Sequence, residues 1–337
     1  MLAGGSARSP SHGLTYETWD AGAGGRRIAA EWDALLQISA CHPVFASSTW
    51  FLRAAGLNAP RIPVIHLARR GGALAGVLPL WLDESARIAF SSERLTDSYD
   101  MVVQPGDVEA AAGLLKYAAG AARPYRQMVF ANVRRDANLA AAVQSLDAGR
   151  IRIERLSDCL FIPLPESYPD FLAGRSAGFR QNLRYAKRRA NAREVEVRML
   201  HPDSFPPARL AGEFIRLHLA RFGADSVFET SVPQQFLTDA IPPLFLGGHI
   251  RACGIYLRSA LAGVNLFVAT HDALGDWNSG YLPELAPCSP GRLMIDAGVQ
   301  LAYRLRVSEY DFLRGDEEYK RKWGTHAREL LRYVLEL

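Results

Sequence analysis

Tyr281–Tyr303, YLPELAPCSPGRLMIDAGVQLAY, is the stretch on which the fold turns. An irregular loop ends in Ser289-Pro290-Gly291 and gives way at once to an amphipathic helix, expected over Pro290–Arg304. Serine is favoured at an N-cap, and proline at the first helical position, where its missing N–H costs nothing. The first-turn N–H groups have no intrahelical partner, so with Arg292 beside them they offer an anion site suited to a pyrophosphate. Ser-Pro-Gly is also an ordinary cap, and most capped helices bind nothing.

Downstream, Tyr310–Trp323, YDFLRGDEEYKRKW, reads as a strand (Val307–Leu313), a break at Arg314-Gly315, and a helix (Asp316–His326). Ligands of open α/β sheets sit beyond the C-terminal ends of strands, and Asp311, Arg314 and Lys320 are placed to converge there, with Glu317 and Tyr319 close by. The alternative is a surface helix whose acidic start and basic end suit the macrodipole. Upstream, Phe179–Arg193, FRQNLRYAKRRANAR, holds six basic residues and no acidic one. At helical spacing Arg180, Arg184 and Lys187 share a face, while Leu183, Ala186 and Ala190 form an apolar one. That face is either simply solvated or a contact for phosphates or tRNA.

The remaining pattern is α/β throughout. The first half is expected to hold a helix at Arg27–Ser39, a hairpin over Pro63–Leu82 turning at Arg69–Gly72, a strand at Ser98–Val103, a helix at Asp107–Ala122 and a strand at Gln127–Ala131. Turn residues from Pro163 to Pro169 separate it from a second half with a strand at Glu194–Met199, a helix at Pro207–Phe222 and a hairpin of Ile250–Arg258 with Gly263–Thr270. The two halves, 14–160 and 161–337, share a helix-strand start and a central hairpin, which points to a duplicated fold. Residues 1–13 are Gly-, Ser- and Ala-rich and are expected to be poorly ordered.

At 337 residues, 49% hydrophobic and 22% charged, the chain is long enough for two cores and is far from a disordered composition. A net charge of +4 is too small and scattered for duplex nucleic acid. Cys41, Cys159, Cys253 and Cys288 lie far apart without a CxxC pair, which favours reduced thiols over zinc or disulfides. With no leader-like segment and no long apolar run, the expectation is a soluble cytoplasmic protein without a metal or a membrane span. No Walker, GxGxxG or nucleophile motif appears, and the histidines accompany no nucleophile.

The R-x-N-L-R-x-A-K-R core of the basic helix, the S-P-G-R-L step and the D-F-L-R-G-D-E-x-Y-K block, in that order, resemble the FemAB-like branch of the GNAT acyltransferase superfamily, which includes proteins labelled CelD-like. The resemblance covers Phe161–Trp323, and Thr96-Asp97-Ser98-Tyr99-Asp100 resembles that group's acidic lead into a strand. Cys288 stands where the group usually has tyrosine. The resemblance implies tandem GNAT-like domains, each a mixed sheet flanked by helices, with an acyl-CoA donor in the second where two central strands splay, mapped to Gly263–Thr270 and Val307–Leu313. It further implies that Ser289, Pro290, Gly291, Arg292, Arg314 and Lys320 hold the donor and that Tyr319 acts as the acid, with Asp311 or Glu317 as base. Asp97, Tyr99, Asp100, Arg180 and Arg184 would meet an amine acceptor of small-metabolite, amino-sugar or peptide-like kind. Trp81 lies near that region but reads more readily as core. Two alternatives are an aminoacyltransferase drawing on aminoacyl-tRNA, as FemABX enzymes do, and a non-catalytic GNAT-like module in polysaccharide production.

Overall fold

The computed structural model describes residues 13–337 apart from 40, 55–56, 58–59, 84–86, 90–94, 122–124 and 147–149. The expectation for residues 1–13 therefore lies, up to residue 12, outside the described residues.

The first half runs β1 (Leu14–Asp20), α1 (Ala23–Gln37), α2 (Ser48–Arg53), β2 (Ile62–Arg70), β3 (Ala73–Asp83), β4 (Arg87–Ala89), β5 (Val102–Val103), α3 (Val108–Ala121), β6 (Gln127–Arg134), α4 (Asn138–Val143) and β7 (Ile151–Pro163). The second runs α5 (Tyr168–Ala173), α6 (Ala177–Asn191), β8 (Val195–Leu200), α7 (Pro207–Phe222), α8 (Ser231–Leu246), β9 (Ile250–Leu257), β10 (Ala260–Ala269), β11 (Ala273–Tyr281), α9 (Pro290–Leu305), β12 (Glu309–Arg314), α10 (Glu318–Trp323) and β13 (His326–Glu336). Setting aside α5, α6 and β4, both halves read β-α-α-β-β-β-α-β-α-β. The duplication hinted at in the sequence is thus present element by element.

All the strands join one mixed sheet, ordered β1-β2-β3-β4-β6-β13-β7-β12-β11-β10-β9-β8 with β5 on β3. Its centre is an exchange: β13 of the second half pairs with β6 of the first, β7 of the first pairs with β12 of the second, and β13 and β7 pair with each other. The boundary placed at residue 160 falls inside β7.

One apolar cluster spans both halves, joining Ile28, Trp32, Trp50, Trp81 and Val102 to Phe214, Phe236, Val264 and Leu313. Trp50 of α2 meets Phe236 and Trp277 of the second half at ring-centroid separations of 4.7 and 5.5 Å, the edge-to-face arrangement that aromatic pairs favour. Trp81 is fully buried at 5.0 Å from Phe51, a core residue.

Several expectations need correction. Ser98–Val103 is strand only at Val102–Val103. The last helix is short, and β13 follows it. Strand β11, helix α8 and strand β7 were not anticipated. Most importantly, β11 lies between β10 and β12, so the strands mapped as splaying, Gly263–Thr270 and Val307–Leu313, are not neighbours.

Candidate active site

The splay lies between β11 and β12. These parallel strands pair only at Ala273–Glu309, Leu274–Tyr310 and Gly275–Asp311. Beyond Gly275, β11 runs on beside β10, while β12, paired with β7 over Glu309–Asp311, breaks register before Arg314. Trp277 is the extra residue of a bulge between Asp276 and Asn278, and bulges re-aim strands next to sites. On the other strand Leu313 has φ +56, a costly conformation for a bulky residue, held by the Asp311 carboxylate accepting the Leu313 N–H at 2.7 Å. The result is a wedge at a strand's C-terminal end, lined by backbone groups of β11 without a ladder partner on that side.

The N-terminus of α9 follows β11 through a 3₁₀ turn, Pro283–Cys288. Ser289 holds the N-cap position, but in a left-handed conformation (φ 55°, ψ 59°) and without a capping hydrogen bond from its side chain. A Cβ built on Gly291 meets nothing within 4 Å, so the first turn of α9 opens outward. Its counterpart in the first half, α3, is closed: Asp107 accepts the Ala110 N–H at 3.1 Å and pairs with Arg70 at 2.6 Å. A carboxylate already on the first turn leaves no place for a second anion. Of the two duplicated helix starts, α3 carries a paired carboxylate on its first turn and α9 does not. Close packing of α9 on the sheet depends on Gly298, where a Cβ would lie 2.5 Å from Phe267 and the Tyr310 hydroxyl.

Ionisable groups gather at the wedge. Asp276 of β11 accepts Asn265 Nδ2 at 2.8 Å, and burial raises its carboxyl above the usual range. The Tyr310 phenol is pushed well up by burial and then by the Asp276 charge. Tyr319 of α10, half exposed, is raised by burial first and next by the charges of Asp276 and Glu317. Its phenol stays protonated at neutral pH, as an acid must. Lys320 is buried, its Nζ directed to the Arg314 carbonyl and to Glu317 at 3.0 Å. Arg314 reaches across the halves to Asp97 at 3.4 Å, and burial lifts Asp97 to about 6 despite that guanidinium. Asp97, Arg314, Glu317, Tyr319 and Lys320 thus come together. Asp276 was missed; an aspartate inside a stretch of glycine, asparagine and serine reads as a turn.

Between the halves opens a cleft of about 790 Å³, which reaches the C-terminal end of α9 at Leu305. Gly275 and Leu313 on its wall border the splay, and Tyr99, Asp100, Arg134, Arg251, Asp311 and Arg328 also line it. Arg328 pairs with Glu309 and, at 3.4 Å, with Asp311, whose carboxyl is nonetheless raised by burial. Asp100 accepts N–H groups from Met101, Asn138 and Leu139 at 2.8–2.9 Å, so part of its role is to hold the start of α4.

The basic helix is α6. Leu183, Ala186 and Ala190 are buried as the spacing requires. Its basic face is divided: Arg180 donates to the carbonyls of Ala173 and Arg175 at the end of α5, and Lys187 pairs with Asp296 of α9 at 2.8 Å. Arg184 is exposed. Cys288 is buried, its thiol 3.9 Å from the Arg189 carbonyl. Among the described residues no cluster of three or more metal-ligating side chains occurs, and no helix is long and apolar enough to cross a membrane.

A splayed parallel strand pair, an open helix start beside it and a duplicated mixed sheet are the features of a tandem GNAT-type fold. Residues 177–321 match the family model described as an acetyltransferase (GNAT) domain, so the second half of the chain carries a GNAT domain. The whole chain has the FemAB-like form of the fold: it is similar to FemX at 13% identity and a TM-score of 0.65, covering 92% of this chain and 96% of that one. L-PGS from Bacillus licheniformis aligns at 10% identity and a TM-score of 0.58, over 91% of each chain. A tandem GNAT protein from the clavulanic acid biosynthesis pathway aligns at 15% identity and a TM-score of 0.50, over 96% of this chain and 98% of that one. No curated protein sequence matches.

Proposed function

We propose that the chain transfers an acyl group from acyl-CoA to an amine, with residues 161–337 as the donor side and 14–160 contributing the acceptor side. The observation that carries this reading is the asymmetry between duplicated helix ends: α9 opens beside the splay while α3 is closed by Asp107. The pyrophosphate would lie on the first turn of α9, near Ser289, Pro290, Gly291 and Arg292, and the thioester would enter the wedge. An N–H of β11 beyond Gly275 would polarise its carbonyl. The acceptor amine would approach from the inter-half cleft, whose wall meets the splay at Gly275 and Leu313, and lose its proton to a carboxylate, Asp276, Asp311 or Glu317. Tyr319 would return a proton to the leaving thiolate. The four free, buried cysteines suit a reducing, cytoplasmic setting.

Retention on a coenzyme A resin, released by acetyl-CoA and not by aminoacyl-tRNA, tests the donor. The reverse pattern would assign the aminoacyl-tRNA reading, which the exposed Arg184 on α6 and the FemX-like fold favour. Absence of binding to either would leave a module without this chemistry.

A further inference from the structure

Of the three guanidinium groups lining the inter-half cleft, Arg134 is held by Asp136 at 2.9 Å, and Arg328 by Glu309 and Asp311. Arg251 has no carboxylate partner among the described residues. Its Nε is buried without a hydrogen-bond partner. The group packs close to Gly248, where φ is +74 and a Cβ would sit 2.9 Å from Nη2. His249 beside it is kept neutral, lowered by burial and further by the Arg251 charge, although Asp33 opposes this. Arg251 is partly exposed to the cleft, so its charge stays solvated there, but its buried Nε is a donor that costs free energy until something accepts from it. Carboxylate and phosphate oxygens match the guanidinium's fork of donors in two parallel bonds.

We propose that the cleft takes an amine acceptor bearing an anionic group, carboxylate or phosphate, and that Arg251 seats that group. The proposal rests on the acceptor lying in this cleft, and it narrows the acceptor class to molecules with an amine at one end and an anion at the other.

Binding to the full chain is measured without any acyl donor, using β-alanine, phosphoethanolamine and β-alaninamide, which share a primary amine and differ in the second group. Wild type is expected to bind β-alanine or phosphoethanolamine at least about tenfold more tightly than β-alaninamide, the tighter of the two identifying the anion. Arg251→Gln should erase that preference without changing β-alaninamide binding, and Arg251→Lys should restore part of it, with melting temperatures showing all three proteins folded. Equal binding of the three probes by wild type, or a preference that survives Arg251→Gln, overturns the proposal. Because no donor is present, a negative coenzyme A result leaves this outcome standing, and the two readings fail separately.

Discussion

At the scale of single residues, the wedge owes its chemistry to burial working against charge. Tyr319 is expected to contribute only where charge develops on the leaving sulfur. Tyr319→Phe should therefore lower kcat by about 10²-fold or more while donor affinity stays within about twofold. Loss of melting temperature with unchanged turnover would instead mark it as a packing residue. Asp97 offers a different measurement. Its carboxyl is raised from 3.8 to about 6 because burial outweighs Arg314. The folded state thus binds this proton more tightly than the unfolded chain, so the stabilisation is complete below pH 4 and is lost as pH rises through 6. Relative to Asp97→Asn, wild type should lose up to about 3 kcal/mol of unfolding free energy between pH 4 and pH 8. Denaturant titrations of both proteins at the two pH values check this, and parallel pH dependences would show that the shift is absent.

At the scale of elements, the proposed donor site rests on α9. Gly291→Val places a side chain into space the protein leaves open, so the melting temperature should hold while coenzyme A affinity falls by about 10²-fold or more. Unchanged affinity in a folded variant would reduce Ser-Pro-Gly to a chain turn. Asp107→Ala in α3 should do the opposite, costing about 1 kcal/mol through the lost cap and leaving donor binding untouched. The sequence made these helices legible, along with both hairpins, because amphipathic spacing and turn residues are local signals. It did not make β11 legible. ALGDWNSGY carries polar and flexible residues for the site it lines, and its strand character comes from pairing with β10. Helix α8 was hidden by Pro242 and Pro243 in its interior, which local rules read as breaks. The basic run was legible as a helix, but the diversion of Arg180 and Lys187 into structural contacts depends on α5 and α9, far away in the chain.

At the scale of the molecule, the exchanged strands make the halves one folding unit. Residues 14–160 alone lack β13 against β6, and 161–337 alone lack the stretch of β7 that pairs with β13. The full chain is expected to unfold in one cooperative denaturant transition, and neither half, expressed separately, should give a cooperative transition of its own. Two resolved transitions in the intact chain would show that the shared sheet is only a weak seam. Strand β13 also fixes a sequence of events during synthesis. It is made after the strands it joins, and until it emerges from the ribosome β6 and β7 present bare, adhesive edges. A chain cut short before His326 carries its whole wedge yet cannot close its sheet, so messages that end early yield material marked for disposal and not a half-working enzyme.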